Sequence, residues 1–347
     1  MNSIDRMLAT INHKQPDRTP VYPIVSGVTR FLNNSSYYYW ATDALVCADA
    51  LIKAQELLDL DCIITLTDLS VEASDFGQKI VYPENEAAYP DSSDHLLKSL
   101  DDYDLVQEID PTSGKRMSEH IKLCDILVQR KGSKVPIIAF VFGPLGILSM
   151  LRGQSDLYLD LYDDPASVHQ ALEKITNTLI RYCDLLLETG IHAIMLDTLF
   201  ASQSIMSKEM WLEFEGPYVK RIAEFIHSKG RMVMIHNCGN GIYFDAQIEM
   251  MHPEVISFLH IPADCESLED IKDKYGSKTT LAGVISPAWL VSAKTADVEK
   301  ECKRLIDIFG KDGGFILATG CEYPANMSLD HAKTICQVAK TYNPYKK

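Results

Sequence analysis

The chain has 347 residues, 46% of them hydrophobic, with 3 Trp, 11 Phe and 16 Tyr, which is enough apolar mass for one large core or two smaller ones. Its 33 Lys and Arg stand against 48 Asp and Glu, a formal net charge of -15 that repels phosphate backbones and anionic bilayers, so nucleic acid and membrane are excluded as partners. Nine scattered cysteines, an odd number, do not make the framework of a small secreted scaffold; reduced thiols and a cytoplasmic location are expected.

In chain order, "MNSIDRMLATINHKQPDRTP" reads as a short helix and a Pro-rich turn, with no signal-peptide design. A first strand is expected in "TPVYPI" (19–24), followed by the aromatic cluster "SSYYYWATD" with Tyr37, Tyr38, Tyr39 and Trp40, and by the helical "DALVCADALIKAQELL". A second strand is "DCIITLT" (61–67), and an acidic, Ser-rich piece covers 82–104 before the helical "SEHIKLCDILVQRK". Six further strands are "VPIIAFVF" (135–142), "IHAIMLD" (191–197), "RMVMIH" (231–236), "EVISFL" (254–259), "TTLAGV" (279–284) and "GFILAT" (314–319). Helical segments separate them, several with a Ser, Thr or Asp start and a Gly stop, and "SLDHAKTICQVAKTY" closes the chain. The longest apolar run, "VPIIAFVFGPLGIL" (135–148), is too short and too interrupted to span a bilayer.

Eight strands alternating with helices predict an α/β fold of the (β/α)8 TIM-barrel type, as one domain over 1–347. An N-terminal helical cap is expected, with 82–104 as an insertion over the barrel mouth. No G-x-G-x-x-G follows the first strand, which weakens a dinucleotide-binding alternative. Active sites of a barrel lie where strands end, and here those ends supply Thr67, Asp68, Gly143, Pro144, Asp197, His236, Cys238, His260, Gly283, Gly320 and Cys321.

His236 and Cys238 are two apart on extended chain and so face the same way. Cys321 leaves the eighth strand at the same rim. One imidazole and two thiolates with a fourth position open form the ligand set of a catalytic zinc site. The plainer reading is two core cysteines and a capped histidine. Cys47, Cys62, Cys124, Cys183, Cys302 and Cys336 sit in apolar contexts and are expected to be buried small hydrophobes.

Four stretches, "FVFGPLGIL", "DTLFASQSIMSKEMWLEFEGPYVKRI", "MIHNCGNG" and "ATGCEYPANMSLDHAK", resemble the uroporphyrinogen decarboxylase superfamily. Within it they are most similar to the cobamide-dependent methyltransferases that include the methylcobamide:coenzyme M enzymes. The resemblance implies a zinc held by His236, Cys238 and Cys321. It also implies methyl transfer between a corrinoid (cobalamin) protein and a small substrate, either a thiol acceptor or a methoxylated aromatic donor in an O-demethylase system. No D-x-H-x-x-G occurs, so the cobalamin is expected on a separate protein.

Alternatives are uroporphyrinogen decarboxylase activity and a non-catalytic module that docks a corrinoid protein. The decarboxylase needs arginines near its first strand for the propionates of a tetrapyrrole, whereas this segment offers Arg30 among aromatics. Asp197 is the expected orienter of the imidazole. His260 is the expected fourth ligand or proton-transfer group, unless it only hydrogen-bonds its loop, and Glu322 completes the rim. Tyr38, Tyr39 and Trp40 suit a wall against an aromatic ring or the corrin face, or alternatively the packing of the cap.

Overall fold

The computed structural model describes residues 1–345; the last two residues of the 1–347 span lie outside it. Nine strands occur among these residues: β1 Ile63–Ile64, β2 Ile80–Val81, β3 Tyr89–Pro90, β4 Ile137–Phe142, β5 Ala193–Asp197, β6 Met232–Asn237, β7 Val255–Phe258, β8 Thr280–Ile285 and β9 Phe315–Thr319. Seven form one parallel sheet in the order β1-β4-β5-β6-β7-β8-β9, curled into a TIM-barrel-like wall with helices outside. β4, β5, β7 and β9 are buried along their whole length. A parallel strand enclosed on both faces reads as a continuous apolar run, as these do.

The helices follow from capping and periodicity. In Pro165–Glu188, Asp164 accepts the Ser167 N–H at 3.2 Å and Pro165 occupies the first turn, where its missing donor costs nothing. Val168, Leu172, Ile175, Leu179, Tyr182 and Leu186 then recur every three or four residues and bury one stripe.

The first expected strand departs from this regularity. Residues 19–24 close the wall without forming a strand: Val21 bridges to Leu317 and Ile24 to Glu322, both in parallel sense. Pro20 and Pro23 have no N–H to give, so a continuous ladder is impossible there. The Asp61 side chain substitutes for part of it. Its Oδ2 accepts the Val21 N–H at 2.9 Å while its own N–H donates to the Val21 carbonyl at 3.0 Å. The expected strand at 61–67 is regular only over Ile63–Ile64.

Inside the barrel Tyr22, Ile24, Cys62, Ile64, Leu66, Ile138, Phe140, Met195, Met234 and Ala318 form a second apolar cluster, reached from below by Met7 of the helix Ser3–Ile11. The insertion expected at 82–104 is bounded by the β2–β3 hairpin, which begins two residues earlier at Ile80, and by a 3-10 helix over Leu100–Leu105. It is tied to the loop after β9 by Asn326 Nδ2, which donates to the Asn85 carbonyl at 2.9 Å, and to the helix Tyr37–Thr42 by an edge-on contact of Tyr82 with Tyr38.

Candidate metal centre

The register of three neighbouring strands builds the site. Asp197 on β5 pairs with His236 on β6, which pairs with Ser257 on β7. Beyond β6 the chain turns: Asn237 Oδ1 accepts the Gly239 N–H at 2.9 Å, and Gly241 has φ +66°, a conformation that favours glycine. The turn follows Cys238 directly and leaves its thiol beside Cys321, just beyond β9.

One ligand atom each from His236, Cys238 and Cys321 lies within 4.8 Å of the others. A tetrahedral ion at about 2.3 Å from sulfur and about 2.0 Å from nitrogen sets its donors roughly 3.6 to 3.8 Å apart, so a small inward adjustment of these side chains accommodates one. His236 Nδ1 is 3.0 Å from Ser257 Oγ, which leaves Nε2 as the nitrogen available to a metal.

The three groups already share charge. The Cys238 thiol donates to Cys321; this bond, with the His236 imidazole beside it, holds the Cys321 thiol well below the ordinary thiol range despite its burial. Cys238 is pushed upward, first by retaining the shared proton and then by burial. Burial works to lower the His236 pKa, but its hydrogen bond to Cys321 and the charges of Cys321 and Asp197 outweigh that, and the net shift is upward. The lowering at Cys321 favours its thiolate, the form in which cysteine ligates a soft cation.

Four carboxylates at the same end have no ion-pair partner among the described residues. Asp197 is 4% exposed, its Oδ1 has no hydrogen-bond partner, and burial, with the nearby Cys321 adding, pushes its pKa up to about 7. Glu322, beside Cys321, accepts from Ser26 Oγ at 2.9 Å and the Gly27 N–H at 3.0 Å through one oxygen, and enclosure pushes it up to about 7. Glu72 accepts the Phe142 N–H at 3.1 Å, and Glu215 accepts from Trp211 Nε1 at 2.8 Å and the Leu145 N–H at 3.3 Å. Burial pushes both up to about 8.

The remaining expected residues are placed differently. Asp197 is adjacent to the imidazole, but Ser257 makes the hydrogen bond to it; a serine inside "EVISFL" carries no sequence signal of that role. His260 lies two residues past β7, is exposed, and stays outside the His/Cys cluster, because β7 ends at Phe258 and the chain leaves the barrel there. Trp40 is fully buried and donates to Thr29 Oγ1 at 3.0 Å, so it packs the cap and lines no opening. Tyr38 and Tyr39, on the same helix, are 47% and 62% exposed. The six cysteines expected in the core are all buried, and none of the nine is in a disulfide.

Comparison with known proteins agrees with this architecture. A methylcobamide:CoM methyltransferase, MtbA, from Methanosarcina mazei is 22% identical over 345 residues, covering 97% of each chain. The uroporphyrinogen decarboxylase of Flavobacterium johnsoniae is 24% identical over 290 residues, covering 81% of this chain and 80% of that one. Among solved structures, a methyltransferase from Methanosarcina mazei superposes with a TM-score of 0.84 at 19% identity, covering 98% of both chains. The family description "Uroporphyrinogen decarboxylase (URO-D)" matches residues 2–342, and the chain belongs to that family.

Proposed function

We propose that this protein, acting as one barrel domain, is a zinc-dependent methyltransferase that moves a methyl group between a corrinoid carried by a separate protein and a small substrate. The observation that carries the reading is the convergence of His236, Cys238 and Cys321 at the catalytic end of the barrel. Zinc bound there supplies Lewis acidity, lowering the pKa of a substrate thiol or polarising an ether oxygen.

This chain's own residues supply the rest. Ser257 holds the imidazole in one orientation. Phe140, whose ring centre is 6.2 Å from that of His236, and Met195 form an apolar floor that keeps water from beneath the reacting atoms. Asp197 Oδ1, free of any donor, is the base that takes a proton leaving the substrate. The partner's corrin approaches over the cap and the insertion, which expose Phe31, Tyr38, Tyr39 and Tyr89.

The decarboxylase alternative requires arginines free for propionates, and the two near the mouth are committed. Arg30 donates to the carbonyls of Gly27 at 2.9 Å and Ala325 at 2.6 Å and to Asn326 at 2.5 Å. Arg116 pairs with Asp68 at 2.5 Å and Tyr82 at 2.9 Å.

The test is incubation of the zinc-loaded protein with methylcob(III)alamin and thiols, and separately with cob(I)alamin and methoxylated aromatics, following the corrin spectrum. Thiol-dependent demethylation identifies an acceptor-side enzyme; methylation of cob(I)alamin identifies a donor-side demethylase. Cys321→Ala should abolish whichever occurs. Consumption of uroporphyrinogen with neither conversion, even with a reconstituted corrinoid protein, overturns the reading.

A further inference from the structure

We infer that the small substrate is an aminothiol: a thiol at the metal end, beside Asp197, and an ammonium group held by Glu322 and Tyr37. The inference rests on the methyltransferase reading above and assigns its substrate class.

The first observation is the imbalance of free hydrogen-bonding capacity at the mouth. Glu322 uses only one carboxylate oxygen, Asp197 has an oxygen with no partner, and neither forms an ion pair among the described residues. The second is independent of charge. The Tyr37 hydroxyl is buried without any partner in a residue 1% exposed, and it lies against the backbone of Gly27, whose N–H caps Glu322. A buried hydroxyl with no partner is costly, and a ligand N–H relieves that cost.

The third observation is that the places an anion could settle are already filled. The N-terminus of the helix Pro144–Arg152 is a ready anion site, but the chain's own Glu215 occupies it through the Leu145 N–H. The Arg30 and Arg116 guanidinium groups are spent on carbonyls, Asn326, Asp68 and Tyr82. A sulfonate or carboxylate on the substrate would meet unpaired carboxylates and no free cation; an ammonium meets acceptors. The sulfur end follows from the soft donor set of two cysteines.

In the reaction the S–H proton passes to Asp197 and from there to solvent, and an S–CH3 bond forms. The Co–CH3 bond breaks with its electron pair retained by cobalt, which goes formally from Co(III) to Co(I). The co-reactant is the methylated corrinoid of the partner.

Three thiols of equal length separate the possibilities: 2-aminoethanethiol, 2-mercaptoethanol and 2-mercaptoethanesulfonate. Calorimetric binding to the zinc-loaded full chain and demethylation of methylcob(III)alamin are both measured. The amine should bind about tenfold or more tighter than the sulfonate, with the alcohol between. Glu322→Gln, which keeps the acceptor for Ser26 and Gly27, should shrink the amine-to-sulfonate ratio about tenfold. Tyr37→Phe should weaken the amine severalfold without lowering the denaturation midpoint, since that hydroxyl has no bond to lose. A sulfonate that binds as well as the amine, or a ratio unchanged in Glu322→Gln, overturns the aminothiol assignment and leaves the methyltransferase reading standing. Failure of all three thiols to bind or to react overturns the assignment together with its thiol-acceptor premise.

Discussion

Asp61 and Asp197 are both buried aspartates at the ends of barrel strands, and their surroundings are opposite. Asp61, at the lower end, is 0% exposed and receives Arg6 at 2.6 Å, Arg18 at 2.7 Å, the Val21 N–H at 2.9 Å and Ser3 at 3.1 Å. Asp197, at the upper end, has an oxygen that receives nothing. The lower end satisfies every lone pair of its buried charge and thereby ties the N-terminal helix, the Pro-interrupted stave and β1 together. The upper end leaves one oxygen each of Asp197 and Glu322 and the Tyr37 hydroxyl without partners, beside the thiols of Cys238 and Cys321. The buried charge is fully paired at the lower end and incompletely paired at the upper one, where barrel active sites lie.

Removing metal ligands should have the largest effect. The purified protein is expected to hold about one zinc per chain, and Cys238→Ala or Cys321→Ala should each weaken binding by on the order of a thousandfold or more. Elemental analysis checks this, and stoichiometric zinc in the double variant would refute the site.

Next, Asp61→Ala removes the buried acceptor that Arg6 and Arg18 share, leaving Arg6 only the half-exposed Asp17 and Arg18 only the exposed Asp59, and should cost about 3 kcal/mol in denaturant unfolding, with zinc content intact. Asp197→Asn, which leaves no cation unpaired, should cost far less. Equal losses in the two variants would break the contrast between the ends.

A third test uses pH. Burial pushes Glu72 and Glu215 up to about 8 in the folded state, against about 4.3 for an unperturbed glutamate. A raised folded pKa means that the folded chain holds the proton longer than the unfolded one. The contribution is complete below about pH 4.3 and is lost as pH rises toward 8, by about 1.4 kcal/mol per pH unit per group. Glu72→Gln should therefore flatten the decline in unfolding free energy between pH 5 and 8; the same slope in wild type and variant would show that Glu72 is not protonated in the fold.

The smallest effect should come from Ser257→Ala. Losing the bond that orients His236 is expected to weaken zinc about 10- to 100-fold by chelator competition, with little change in fold stability. His260→Ala, at an exposed position, serves as the reference in that experiment, and a loss of zinc there as large as in Ser257→Ala would place His260 in the site after all.

The alternation of β-branched runs with capped, periodic helices was legible along the chain, because both patterns are local: periods of two and 3.6 residues and a few capping side chains decide them. The pairing of His236 with Cys238 was legible for the same reason, and the strand-end rule of the barrel brought Cys321 to the same rim. What the chain could not disclose is non-local. Ser257 became the imidazole's partner only through the register of β6 against β7, and Glu215 reached the helix at Leu145 from 70 residues away. Trp40 and Tyr39 are neighbours in one aromatic run, yet the packing of the cap buried one fully and exposed the other. Composition cannot distinguish them, because burial depends on which side of a helix meets the rest of the molecule. Only tertiary structure decided that Asp61 would be paired and Asp197 left open, since a charge acquires its partners from segments far away in sequence.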